Sequence, residues 1–143
     1  MGAADLCERY IEAVELADFE ALDALFTPDA VVVSPLYGRL PAAEFHRLLL
    51  ADARTRLELR NLFDAANRAP SGAMHLRCVL TFAHEETVCF DAVDLFDVAP
   101  DGERFQSLTI LYDSPATRAA YRALRSQQLA EAVGAAFGGE RAA

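Results

Sequence analysis

The sequence predicts an α+β fold in which N-terminal helices fill the hollow of a curved antiparallel sheet. Two observations carry this. Apolar residues recur at helical spacing through Asp52, and from Leu57 onward they alternate with every second position. Each long alternating stretch then has one strongly apolar face that needs covering, and the early helices are the material available to cover it.

Ala3–Ala17 reads as an amphipathic helix, with Leu6, Tyr10, Val14 and Ala17 on one stripe that Cys7 and Ile11 widen. Tyr10 therefore points inward and its hydroxyl needs a partner. Asp18 is placed to cap a short second helix carrying Phe19, Leu22, Leu25 and Phe26, which Thr27-Pro28-Asp29 ends. Ala30–Ser34 is rich in β-branched residues and predicts a short strand, stopped by Pro35 and a turn at Gly38. Pro41 suits the start of a third helix, Ala42–Asp52, with Phe45, Leu48 and Leu49 inward.

The alternating part begins with Leu57, Leu59, Asn61 and Phe63 on one face of a long strand, followed by a loop over Ala65–Gly72. Met74, Leu76, Cys78, Leu80 and Phe82 form the apolar face of the next strand. A polar turn at His84–Glu86 leads into Cys89–Val98, and Asp101-Gly102 marks a hairpin into Arg104–Tyr112. Ser114-Pro115 opens a final Ala-rich helix to about Ala136, stopped by Gly138-Gly139. The 143 residues are expected to form one domain, with 115–137 as a C-terminal helical extension.

Around the Cys89–Val98 strand, one face carries Val88, Phe90, Ala92, Asp94, Phe96 and Val98. Asp94 is the single acid on an apolar stripe. Burial disfavours its ionised form, so such a group is kept neutral and hydrogen-bonded, is used for chemistry, or reaches solvent at a rim.

Composition narrows the function. The net charge is −9 and no basic run exists, which argues against nucleic acid and anionic membrane as partners. No stretch has transmembrane length, and the start carries Asp5 and Glu8 rather than a secretion signal. Cys7, Cys78 and Cys89 are odd in number and widely spaced, which fits free buried thiols in a cytoplasmic protein. All 13 basic residues are Arg, which excludes a Lys Schiff base and with it pyridoxal phosphate. His46, His75 and His84 lack metal-ligand spacing, and neither metal nor other cofactor is expected. Arg118, Arg122 and Arg125 read as a solvated helical stripe.

Several segments resemble ketosteroid isomerases of the NTF2-like (SnoaL-like) superfamily of cone-shaped α+β folds. They are Arg9-Tyr10-Ile11-Glu12, Asp18-Phe19-Glu20-Ala21, Pro28-Asp29-Ala30-Val31-Val32, Ser34-Pro35, Gly38, Gly72-Ala73-Met74, Arg77, Asp91, Val93-Asp94 and Gly102. The resemblance implies that Tyr10 supplies the phenol of an oxyanion hole and that Asp94 supplies a protonated carboxylic acid beside it. It also implies an apolar slot lined by Leu76, Cys78, Leu80, Phe96, Leu108, Ile110 and Tyr112. One position departs from the pattern. The isomerases carry their proton-moving Asp immediately before the residue matching Pro35, and here that position is Ser34. A Ser hydroxyl without an adjacent base does not abstract a proton near neutral pH. His46 is a candidate substitute base, or else an ordinary surface or core histidine.

The expectation is an enzyme of isomerase, cyclase or lyase type acting on a small hydrophobic carbonyl compound through Tyr10 and Asp94. The alternatives are a non-catalytic binder of a small hydrophobic molecule, with Ser34 as the mark of lost proton transfer, and an interaction domain. Homodimerisation through the outer sheet face is expected.

Overall fold

The computed structural model describes residues 2–68 and 70–141. Its elements are α1 (Ala3–Glu15), α2 (Phe19–Ala24), β1 (Phe26–Ser34), β2 (Gly38–Pro41), α3 (Ala42–Asp52), β3 (Ala53–Asp64), β4 (Gly72–Phe82), β5 (Thr87–Val98), β6 (Phe105–Leu111) and α4 (Pro115–Arg141).

The strands form one six-stranded sheet in the order β2-β1-β6-β5-β4-β3. The β3–β6 meander is antiparallel as the alternation predicts, while β1 joins it parallel to β6 and carries β2 on its outer edge. Helix α1 packs on β3, and α3 reaches β1 and β3, so the helices lie in the hollow of the sheet. Leu6, Tyr10 and Val14 of α1 meet Met74, Leu76, Phe82, Phe96 and Leu108 of the strands in one core.

Several local expectations are corrected. Helix α1 stops at Glu15 rather than Ala17. Ala17 sits at φ 53°, where its N–H donates to the Val14 carbonyl and that of Asp18 to Ala13, a Schellman closure built on alanine. Phe26 and Pro28 lie in β1, not in or just after α2, and the β1–β6 register is irregular between Phe26 and Val31, which accommodates the proline. In β3, the register shifts between Leu59 and Asn61. This bulge inverts the inward parity, so Leu62 packs on the core while Asn61 and Phe63 face out. Helix α4 runs through Gly138-Gly139 to Arg141. Cys7 and Cys78 are buried, whereas Cys89 is exposed on the outer face.

The outer sheet face carries Phe63, Val93, Leu95 and Leu111, each more than a third exposed. Val93 is paired directly with Leu111, and Ala73 links Phe63 to Leu95 across the sheet. Asp91 lies on this face, 3.3 Å from Arg77. Among the described residues, no helix is long and apolar enough to cross a membrane.

Candidate functional site

A cavity of about 60 Å³ opens between α1, α3 and the concave sheet face. Tyr10, Asp94 and Ser34 are all on its wall, together with the expected Leu76, Cys78, Leu80, Ile110 and Tyr112. Phe96 and Leu108 are not. They share the parity of the wall residues but lie further along their strands in the closed core, Phe96 at 5.6 Å (centroids) from Phe105 and Leu108 fully buried. Val14, Leu36, Tyr37, Phe45, Leu49, Thr55, Leu57, Phe90 and Ala92 complete the wall. Among the described residues, that wall holds no Arg or His.

Asp94 is delivered by the alternation of β5, in register between Met74 of β4 and Ile110 of β6. It is only 4% exposed, and its Oδ1 has no hydrogen-bond partner among the described residues. Desolvation raises its pKa from 3.8 to about 7, so the acid holds its proton well into the near-neutral range. A carboxylic acid in that state is a hydrogen-bond donor aimed into an apolar space.

Tyr10 comes from the buried stripe of α1 and is wedged edge-on between Phe26 and Phe105, with centroids 5.8 Å from each. Burial, then the nearby Asp94, push its phenol well above its ordinary pKa. It stays protonated. Its hydroxyl lies 3.1 Å from His46 Nε2. His46 is 1% exposed on α3, and its Nδ1 lies 2.8 Å from the carbonyl of Ala42. A carbonyl only accepts, so Nδ1 carries the ring proton and Nε2 of the neutral imidazole accepts from Tyr10. Burial lowers the His46 pKa to about 4, which keeps the ring neutral at physiological pH. His46 does not reach the cavity wall. It stands behind Tyr10 and cannot touch a bound molecule directly.

Ser34 ends β1, where its Oγ accepts the Tyr37 N–H at 3.1 Å across the β1–β2 turn. Among the described residues this is its one hydrogen-bond partner, and no base adjoins it. Cys78 faces the cavity as a thiol, pushed up to about 12 by burial and Asp94. The signal sequence reasoning missed is Tyr37. It follows Pro35 in a turn, where periodicity carries no information, yet it lines the cavity and its hydroxyl donates to buried Asp52 at 2.6 Å. Arg125 is not part of a solvated stripe: its guanidinium meets the same Asp52 oxygen at 2.8 Å.

No family model matches this chain, and no curated relative does. Solved structures do. An NTF2-like protein of unknown function from Burkholderia pseudomallei superposes with a TM-score of 0.65 at 14% identity, over 77% of this chain and 89% of the other. A protein of ketosteroid isomerase-like fold from Catenulispora acidiphila, in complex with trimethylamine, gives 0.68 at 12% identity, over 81% and 90%. The Δ5-3-ketosteroid isomerase from a Mycobacterium species gives 0.63 at 20% identity, over 77% and 92%. This chain therefore has the ketosteroid isomerase-like, NTF2-like fold.

Proposed function

We propose that the protein acts on a small, largely apolar carbonyl compound, binding it in the cavity with the carbonyl oxygen at Asp94 and the neighbouring carbon beside the Tyr10 hydroxyl oxygen. The observation that carries this reading is a buried carboxylic acid with a free oxygen on the wall of a largely apolar cup. Neutral Asp94 donates to the carbonyl oxygen and stabilises it as negative charge develops, which favours an enolate and hence isomerase, cyclase or lyase chemistry. The cavity volume limits size. At about 60 Å³ it is far below the roughly 300 Å³ at which sites for drug-sized ligands begin, so a one-ring compound is favoured over a four-ring steroid.

The test is binding of phenol, a small enolate mimic, followed by NMR or calorimetry. Asp94→Ala is expected to weaken it by about 10-fold, taking roughly 1.5 kcal/mol for the one lost hydrogen bond to the phenol oxygen. Unchanged affinity would remove Asp94 from the site. A second reading, a non-catalytic binder of the same class of molecule, is favoured by Ser34, which has no base beside it. In either case we place the working unit as a homodimer joined through the exposed Val93, Leu95 and Leu111 face.

A further inference from the structure

The carbonyl reading leaves a gap, because enolisation needs a base and Ser34 supplies none. We propose that Tyr10 and His46 together are that base: the phenol oxygen takes the substrate's α-proton while its own proton passes to His46 Nε2. This rests on the reading of Asp94 as the acid at the carbonyl oxygen.

Three features of the geometry point this way. The Ala42 carbonyl holds the proton on Nδ1, so the lone pair of Nε2 faces the Tyr10 hydroxyl at 3.1 Å. Tyr10 therefore gives its one proton to the histidine and keeps oxygen lone pairs for whatever enters the cavity. Finally, Tyr10 is the one residue that both lines the cavity and bonds to His46 among the described residues.

The step balances without any co-reactant. The α C–H bond breaks and its electron pair becomes the C=C bond of the enolate. The carbonyl π pair moves onto oxygen, which takes the hydrogen bond or the proton of Asp94. One proton is added to Tyr10 Oη as another leaves it for Nε2, so tyrosine stays neutral and His46 becomes the imidazolium. Reversal at the same or a conjugated carbon returns the proton. Tyrosinate, which burial makes costly, is never formed. The basicity is also suitable. With a pKa of about 4, His46 is as strong a base as an ordinary carboxylate (~3.9–4.3), the group that Ser34 does not supply.

The experiment measures deuterium uptake by cyclopentanone in D2O by NMR, together with its binding, across pH. The groups that face His46 are Tyr10 of α1 and Asp23 of α2, while those that face Asp94 are Cys7 and Tyr10 of α1, Cys78 of β4 and Tyr112. Exchange should follow a bell, rising near pH 4 as His46 loses its proton and falling near pH 7 as Asp94 loses its own. His46→Gln puts a neutral carboxamide in place of the ring, and that group cannot take the proton. It should bind cyclopentanone as the wild type does and lose exchange by about 10²-fold or more, with the acid limb gone. Wild-type exchange in His46→Gln, or an acid limb that survives the substitution, overturns the relay and leaves the carbonyl reading standing. A wild type that binds the ketone without exchanging it overturns the relay in favour of the non-catalytic binder. A wild type that does not bind it at all removes the carbonyl reading itself. Should His46→Gln not fold, the wild-type bell alone decides: a flat profile across pH 4 rejects the relay.

Discussion

Arg125 of α4 and Asp52 at the end of α3 meet at 2.8 Å, and the Asp52 oxygen they share also accepts the Tyr37 hydroxyl. Asp52 is buried while Arg125 is more than a third exposed, so the pair is asymmetric. Removing the arginine strands a carboxylate that cannot reach water, whereas the arginine itself would be readily rehydrated. The first half of α4 is held in the same place by Ala120 and Leu124, both buried, and by the Tyr37–Tyr121 contact at 5.5 Å. Arg125→Ala is therefore expected to destabilise the fold by about 1–3 kcal/mol in urea denaturation. Because Tyr37 lines the cavity and its hydroxyl rests on the Asp52 oxygen that Arg125 holds, the same variant should release phenol faster. Unchanged stability and release would mean that α4 merely rests on the cavity rim.

A second prediction concerns pH. Asp94 has its pKa raised from 3.8 to about 7, so between those values the unfolded chain has lost a proton that the folded chain still holds. Its contribution to stability is complete below pH 3.8 and declines as pH rises towards 7. His46 has its pKa lowered from 6.5 to about 4, so the unfolded chain binds a proton first as pH falls. Its contribution is present above 6.5 and is lost on acidification towards 4. The two slopes oppose each other across nearly the same window. Relative to wild type, Asp94→Asn should make stability rise more steeply with pH between about 4 and 6.5, and His46→Gln should make it fall between about 3.8 and 7. Urea midpoints at pH 4.5 and 7.5 for the three proteins check both signs.

How far the site was legible follows from what periodicity encodes. Alternation along β5 and helical spacing along α1 were enough to turn Asp94 and Tyr10 towards the same interior, since a face is a local property of the chain. Position along the strand is not local. Phe96 and Leu108 share the face of the wall residues, but which level of the sheet is hollow depends on where α1 and α3 cross it. The bulge between Leu59 and Asn61 has no marker such as glycine or proline, so the outward turn of Phe63 was hidden. The parallel pairing of β1 with β6 joins Val32 to Leu108, partners too distant in sequence for any window to connect. His46 was open to reading as a surface or a core histidine, since its place behind Tyr10 depends on the packing of α3 against α1.

The outer face supports a third prediction. Val93 and Leu111 are directly paired on β5 and β6, and Leu95 stands two residues along β5, all on the solvent side. Isolated exposed apolar residues are ordinary, but neighbouring ones on a flat sheet are the kind of patch a second copy covers. Light scattering at micromolar concentration should return twice the monomer mass. Leu95→Glu, which sets like charges opposite each other across a two-fold interface, should return the monomer mass with the fold intact by circular dichroism. A monomeric wild type would refute the dimer.

The last prediction uses Ser34 to separate a missing base from a misplaced one. Its Oγ is on the cavity wall and already accepts the Tyr37 N–H, so a carboxylate there would inherit that donor and stay ionised. Ser34→Asp should then add a direct base to a site whose acid, Asp94, is unchanged. Deuterium uptake by cyclopentanone at pH 5.5 is expected to rise above wild type. The more discriminating protein is Ser34→Asp in the His46→Gln background, where the relay through Tyr10 is disabled. There the new carboxylate should restore exchange by about 10²-fold or more over His46→Gln alone, the usual worth of a positioned base. If that double variant folds and binds the ketone but stays inactive, the α-carbon of the bound ketone does not lie within reach of position 34. The carbonyl would then be bound in an orientation different from the one Asp94 and Tyr10 imply.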